Sequence, residues 1–158
     1  MKVKTILTIF ILVIGFAAPG LGYEPDTELV LFKEIENSGE IIVKGRLCNT
    51  YLRIKKDLSQ LSDMRNRFCI GEYSLRLDGP SGTTVTLYGQ YFFGKARGYL
   101  VLTKTDDKRV RISEIDKFPE EQWKVFQPSN GTGGYKAFLK ASPDFKTNLA
   151  SVQWNKIP

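Results

Sequence analysis

Histidine is absent from this 158-residue sequence, and cysteine occurs only twice. Without histidine the chain cannot form a Ser-His-Asp triad or a Cys-His pair, which are common ways to activate a nucleophile. The Gly-x-Ser-x-Gly nucleophile motif is also missing. A mixed Cys/His metal site is excluded, and two thiols alone do not complete the ligand shell of zinc. We therefore expect no metal, no cofactor and no catalytic residues.

Motifs for phosphate and calcium are missing as well. The glycine-rich stretch 127–134 is not followed by the Lys-Ser/Thr of a P-loop. Asp106 and Asp107 lack the spaced oxygen ligands of a calcium loop, so we expect a plain turn there. A carboxylate-dependent hydrolase is the remaining enzymatic alternative, but its candidate carboxylates read more simply as solvated surface groups: Glu114, Asp116, Glu120 and Glu121.

No apolar run is long enough to span a bilayer, because the run from Ile6 to Ala18 falls short of the roughly 20 residues required. With Lys2 and Lys4 before it and Gly20-Leu21-Gly22 after it, the run is typical of a signal peptide covering residues 1–22. An uncleaved anchor is the alternative. We expect a secreted or periplasmic protein without stable membrane insertion after cleavage, whose residues 23–158 form one domain.

Cys48 and Cys69 are the two cysteines. In an oxidising compartment, two cysteines in a small domain predict one disulfide. A redox-active pair is the alternative, which the absence of the close Cys-x-x-Cys spacing disfavours.

The formal net charge of the full sequence is +6, but lysine and arginine are spread along the chain rather than grouped in blocks. Dispersed cations are typical of a solvated surface, so we do not expect a nucleic-acid partner.

Short runs that are apolar or alternate apolar with polar residues recur between turn signals, which is typical of β-strands. Together they predict an all-β, single-domain antiparallel β-sandwich, immunoglobulin-like by analogy of strand count, with at most one short helix. The predicted strands are Leu29–Phe32, Ile41–Val43, Tyr73–Leu77, Thr84–Tyr88, Tyr99–Leu102, Val110–Ile112, Trp123–Phe126, Tyr135–Leu139 and Leu149–Trp154.

Two hairpins are predicted among these strands. The turn-rich stretch Asp78–Gly82 separates Tyr73–Leu77 from Thr84–Tyr88, which favours antiparallel pairing of the two. Thr105–Lys108 separates Tyr99–Leu102 from the run at Val110 in the same way. Tyr99–Leu102 is apolar on both faces, which indicates a central strand.

A candidate contact surface follows the strand that ends at Tyr88. Glycines at 89, 94 and 98 alternate there with residue types that are enriched at binding surfaces. The residues that we expect to contact a partner are Tyr88, Tyr91, Phe92, Lys95 and Arg97. The structural alternative is that the aromatic side chains fill the core while the glycines turn the chain.

The function that this pattern favours is an exported, non-enzymatic binding or accessory module for a protein or glycan partner in the envelope or extracellular space. One alternative is a subunit of an extracellular assembly that pairs through strand edges. Asn130-Gly131-Thr132 has the form of a glycosylation sequon, which matters only in a host that modifies secreted chains.

The disulfide prediction is tested by thiol titration under denaturing, non-reducing conditions. We expect no free thiol in protein taken from its native compartment, because Cys48 and Cys69 pair there. Two reactive thiols per chain would contradict the prediction.

Overall fold

The computed structural model describes residues 27–33, 51–61, 72–143 and 145–158. Nine strands lie in these ranges: β1 (Leu29–Lys33), β2 (Tyr51–Ile54), β3 (Tyr73–Leu77), β4 (Thr84–Tyr88), β5 (Tyr99–Lys104), β6 (Val110–Ile112), β7 (Trp123–Phe126), β8 (Tyr135–Lys140) and β9 (Ser151–Trp154). Short 3₁₀ turns occur at Tyr91–Phe93 and Phe145–Thr147. The predicted strand at Ile41–Val43, both cysteines and the predicted signal peptide lie outside the described residues.

The strands form two antiparallel sheets. One has four strands in the order β2-β1-β3-β6, and the other has five in the order β7-β8-β5-β4-β9. The prediction of an all-β sandwich is confirmed. The prediction that Tyr99–Leu102 belongs to a central strand is also confirmed, because β5 lies in the middle of its sheet.

The core lies between the sheets and follows from period-two alternation. On β3, the fully buried residues Tyr73, Leu75 and Leu77 alternate with partly exposed Ser74 and Arg76. The opposing sheet contributes the inward side chains of Val85, Leu87, Leu100, Leu102, Ala137, Leu139 and Val152. Burial of these two apolar faces is the main favourable term in the folding of the domain.

Both predicted hairpins are wrong. β3 pairs with β1 and β6, whereas β4 pairs with β5 and β9, so the two strands belong to opposite sheets. β5 and β6 are separated in the same way. Alternation identifies the buried face of a strand, but that face is equally well buried when the next strand lies across the core. The connections after β3 and β5 are therefore arches between the sheets.

The backbone of the connection between β3 and β4 shows why this connection is an arch and not a hairpin. Gly79 and Gly82 have φ angles of 133° and 87°, which side chains rarely adopt, so the chain turns sharply at both. After the turn, the N–H of Gly82 donates to the carbonyl of Lys104, and the N–H of Lys104 donates to the carbonyl of Thr83. The chain that leaves the arch is thus already paired with β5.

The two arches lie side by side and share a polar network. The N–H of Ser81 donates to Asp107 Oδ1 (2.8 Å), and Arg109 Nε donates to Asp78 Oδ1 (2.7 Å). Each bond joins one arch to the other, so this end of the sandwich is fixed by polar contacts.

Two hairpins are present where loops join neighbouring strands of the five-stranded sheet. Residues 89–98 connect β4 to β5, and residues 127–134 connect β7 to β8. No helix within the described residues is long and apolar enough to cross a membrane.

The pH dependence of the free energy of unfolding tests the buried position of Lys104 at the start of the second arch. Its side chain is 1% exposed and its Nζ donates to the carbonyl of Lys108. Burial lowers the pKa of Lys104 below its ordinary 10.5, although Asp106, Asp78 and Asp107 oppose the change. Between the lowered pKa and 10.5 the unfolded chain binds more protons, so the free energy of unfolding rises with pH in that window.

Lys104→Met removes this titration while keeping an unbranched side chain. We expect urea unfolding to show that wild-type stability increases with pH relative to the variant. The comparison is made below pH 10.0, because burial raises the pKa of Tyr88 and Tyr135 above that value and adds a dependence of opposite sign. Parallel curves for the two proteins would contradict the assignment.

Candidate functional site

The β4–β5 loop, residues 89–98, carries four of the five predicted contact residues and is closed by a narrow neck. The N–H of Gly89 donates to the carbonyl of Gly98 over 3.0 Å. A Cβ atom at position 89 would lie 2.0 Å from the carbonyl oxygen of Arg97, so only glycine fits. The neck holds the ends of β4 and β5 in register, with Tyr88 opposite Tyr99.

Two consecutive phenylalanines in this loop adopt left-handed backbone conformations. Phe92 has φ 56° and ψ 35°, and Phe93 has φ 59°. Such angles are uncommon outside glycine, asparagine and aspartate, and a bulky residue held there is strained by about 1–3 kcal/mol. The surrounding structure must therefore supply contacts that hold the turn.

Three hydrogen bonds hold it. The N–H of Phe92 donates to the carbonyl of Ser59 (2.9 Å), in the segment that follows β2. The N–H of Phe93 donates to Ser151 Oγ (3.1 Å), and that hydroxyl donates to the carbonyl of Gln90 (2.7 Å). Residues distant in sequence thus fix the conformation of the loop.

The predicted contact residues fall into two groups. Phe92 is 67% exposed, Lys95 and Arg97 are exposed, and Tyr91 is half-buried. Tyr88 is 2% exposed. Strand alternation predicts that one aromatic residue faces outward, and Phe92 does, but it does so on a tight turn rather than on a strand.

Tyr88 supports the loop from beneath. Its ring lies 5.9 Å from that of Phe93, and its hydroxyl donates to Gln153 Oε1 over 3.1 Å. Burial raises the pKa of this hydroxyl, so it stays protonated at neutral pH and remains a hydrogen-bond donor.

Sequence reasoning missed a row of rings that continues from Tyr88 across the outer face of the five-stranded sheet. Ring centroids lie 6.2 Å apart for Tyr88 and Tyr99, 6.0 Å for Tyr99 and Phe138, and 5.6 Å for Phe138 and Trp123. Lys136 Nζ lies 5.2 Å from the centre of the Trp123 ring. We call Tyr88, Tyr99, Phe138 and Trp123 the aromatic row. Their strands are evident in the sequence, but the order of those strands is not.

Other residues that the sequence singled out lie outside the β4–β5 loop. Asp106 is a turn residue, as expected, since its carboxylate accepts from the N–H groups of Lys108 and Gly134. These bonds, that to Gly134 foremost, lower the pKa of Asp106. Glu114 pairs with Lys117. Asn130 is exposed on the β7–β8 loop.

No protein-family model matches this chain, and no curated protein or solved structure is significantly similar to it. Function must therefore be inferred from the chain's own residues.

Proposed function

We propose that the protein is an exported, non-enzymatic binding module that contacts a protein or glycan partner through the β4–β5 loop. The observation that carries this proposal is Phe92, whose ring is 67% exposed on a left-handed backbone.

The energetics of Phe92 favour a role outside folding. An exposed ring contributes little apolar burial to the domain, and its backbone conformation opposes stability. A glycine at this position would allow the same turn without strain. A bulky aromatic residue that is both strained and exposed therefore does little to stabilise the domain, which favours a contact with another molecule.

The surroundings of Phe92 suit such a contact. Exposed Lys95 and Arg97 add cations to the same loop, and half-buried Tyr91 adds a second aromatic side chain. Aromatic residues and arginine are the types that dominate binding energy at interfaces. The anchoring bonds to Ser59 and Ser151 preorganise the loop, which lowers the entropic cost of binding.

An assembly that pairs through strand edges is the second candidate. β7 lies at one end of its sheet order, with β8 as its only strand neighbour among the described strands. Trp123 and Val125 on β7 are 44% and 57% exposed. An exposed edge with apolar side chains can add a strand from another chain.

Phe92→Gly separates binding from folding. We expect the variant to be as stable as the wild type or up to about 1 kcal/mol more stable, because glycine relieves the left-handed strain. The yield of crosslinked partner should be lower for Phe92→Gly than for the wild type. Stability is measured by urea unfolding, and contact by photo-crosslinking on producing cells from benzoylphenylalanine placed at exposed position 95, with and without Phe92→Gly. A further protein carries benzoylphenylalanine at position 92 itself.

Position 157 is the matched control, because Ile157 is 60% exposed and lies on the C-terminal segment. We expect a discrete adduct from position 92 that is absent from position 157. Equal crosslinking from both positions, or none from either, would remove the contact surface. A Phe92→Gly protein that is markedly less stable would assign the ring to folding.

Light scattering after size exclusion separates the two candidates. The binding module should elute as a monomer. A stable polymer that Val125→Lys dissociates would instead support assembly through β7, since a lysine on an edge strand opposes strand addition. Val125 is exposed, so this substitution should leave the fold intact.

A further inference from the structure

The outer face of the four-stranded sheet carries a cross-strand row of arginines. Val30 on β1 lies opposite Arg53 on β2 and opposite Arg76 on β3, and Arg76 lies opposite Arg111 on β6. Residues in register share a face of the sheet. Three cationic side chains therefore emerge from the same face, and two of them are direct neighbours.

Like charges directly opposite each other destabilise a sheet unless they are neutralised. Arg76 is neutralised, because its Nη2 lies 2.8 Å from Glu28 Oε1 and its Nε lies 3.0 Å from Asp78 Oδ2. The other oxygen of Asp78 accepts from Arg109. Both nearby carboxylates are thus already paired.

Arg111 is different. Its Nη1 donates to the carbonyl of Gly131 over 3.0 Å, and in the described part of the chain it forms no ion pair with a carboxylate. The carbonyl contact orients the guanidinium but does not neutralise it. The backbone of Arg111 is also held, since its N–H donates to Thr132 Oγ1 over 2.8 Å.

Arg111 borders a cleft of about 600 Å³ on this face. Phe32, Ser74, Arg76 and Asn130 are among the other residues that line it. Phe32 is 37% exposed and offers an apolar ring, while Ser74 and Asn130 offer a hydroxyl and an amide. A second cleft of about 390 Å³, with Lys108 and Arg109 in its lining, meets the first at Arg111.

We propose that this cleft binds the sulfate or carboxylate group of an acidic saccharide, with Arg111 as the anion ligand. The guanidinium presents a planar fork of donors that matches an oxyanion, and charge-assisted bonds of this kind are strong. A saccharide ring has an apolar face that suits Phe32 and hydroxyls that suit Ser74 and Asn130. This site is separate from the β4–β5 loop and does not depend on it.

The test is isothermal titration calorimetry with five probes: a sulfated oligosaccharide, an oligouronate, a neutral oligosaccharide of equal length, an acidic peptide of equal charge, and inorganic sulfate. The protein is produced without glycosylation, because Asn130 lies in a sequon. We expect binding of at least one acidic oligosaccharide that weakens as salt is added, and at least tenfold weaker binding of the neutral one.

Arg111→Gln should weaken that binding by about tenfold or more, whereas Arg111→Lys should keep part of it because the charge remains. Lys140→Gln is the charge-matched control on the other sheet and should change binding less than twofold. Urea unfolding should show that the midpoint of Arg111→Gln stays close to that of the wild type, because Arg76 is already neutralised and only an exposed hydrogen bond to Gly131 is lost.

Equal losses from Arg111→Gln and Lys140→Gln would show nonspecific charge attraction and overturn the proposal. Binding of inorganic sulfate as tight as that of the oligosaccharide would show a free-anion site instead. An acidic peptide of equal charge that binds as tightly as the saccharide would also overturn the assignment to a saccharide, as would no binding of either acidic oligosaccharide.

Discussion

Each sheet of this protein has an apolar inner face, and neither inner face is stable in water unless the other covers it. That constraint determines how the chain is routed. After β3 and again after β5, the chain crosses from one sheet to the other, so that successive strands face each other across the core. The two crossings are adjacent and are bonded to each other through Asp78, Asp107 and Arg109.

The β4–β5 loop and the β7–β8 loop lie in different environments. The β4–β5 loop is anchored by Ser59 and by Ser151 on the neighbouring strand β9, which allows it to hold two phenylalanines at positive φ. The β7–β8 loop instead contacts β6, where Thr132 and Gly131 bond to Arg111. Each proposed site therefore combines a loop from the five-stranded sheet with residues distant in sequence.

The proposed sites also differ in chemistry. At Phe92 an exposed ring stands on a strained backbone, so contact area and preorganisation of the loop would favour binding. Arg111 is a positive charge without a carboxylate partner among the described residues, so electrostatic attraction, which added salt weakens, would favour binding there. The Phe92→Gly and Arg111→Gln variants therefore distinguish ligands of the two surfaces, even if both bind saccharides.

The sequence by itself determined most of the strands and the buried face of β3, because alternation along a strand is a local property, but β2 is not among the predicted strands. The bounds of β3, β4, β6 and β7 agree with the prediction, as does the outward position of one aromatic residue near Tyr88. Only the tertiary structure decided which strands pair, since an apolar face is buried equally well by a neighbour or across the core. The arginine row and the aromatic row depend on that pairing. Arg76 lies opposite Arg111 because β3 pairs with β6, which is not the next strand in the sequence. Phe138 lies opposite Trp123 because β7 and β8 pair in one particular register, which alternation along each strand does not specify.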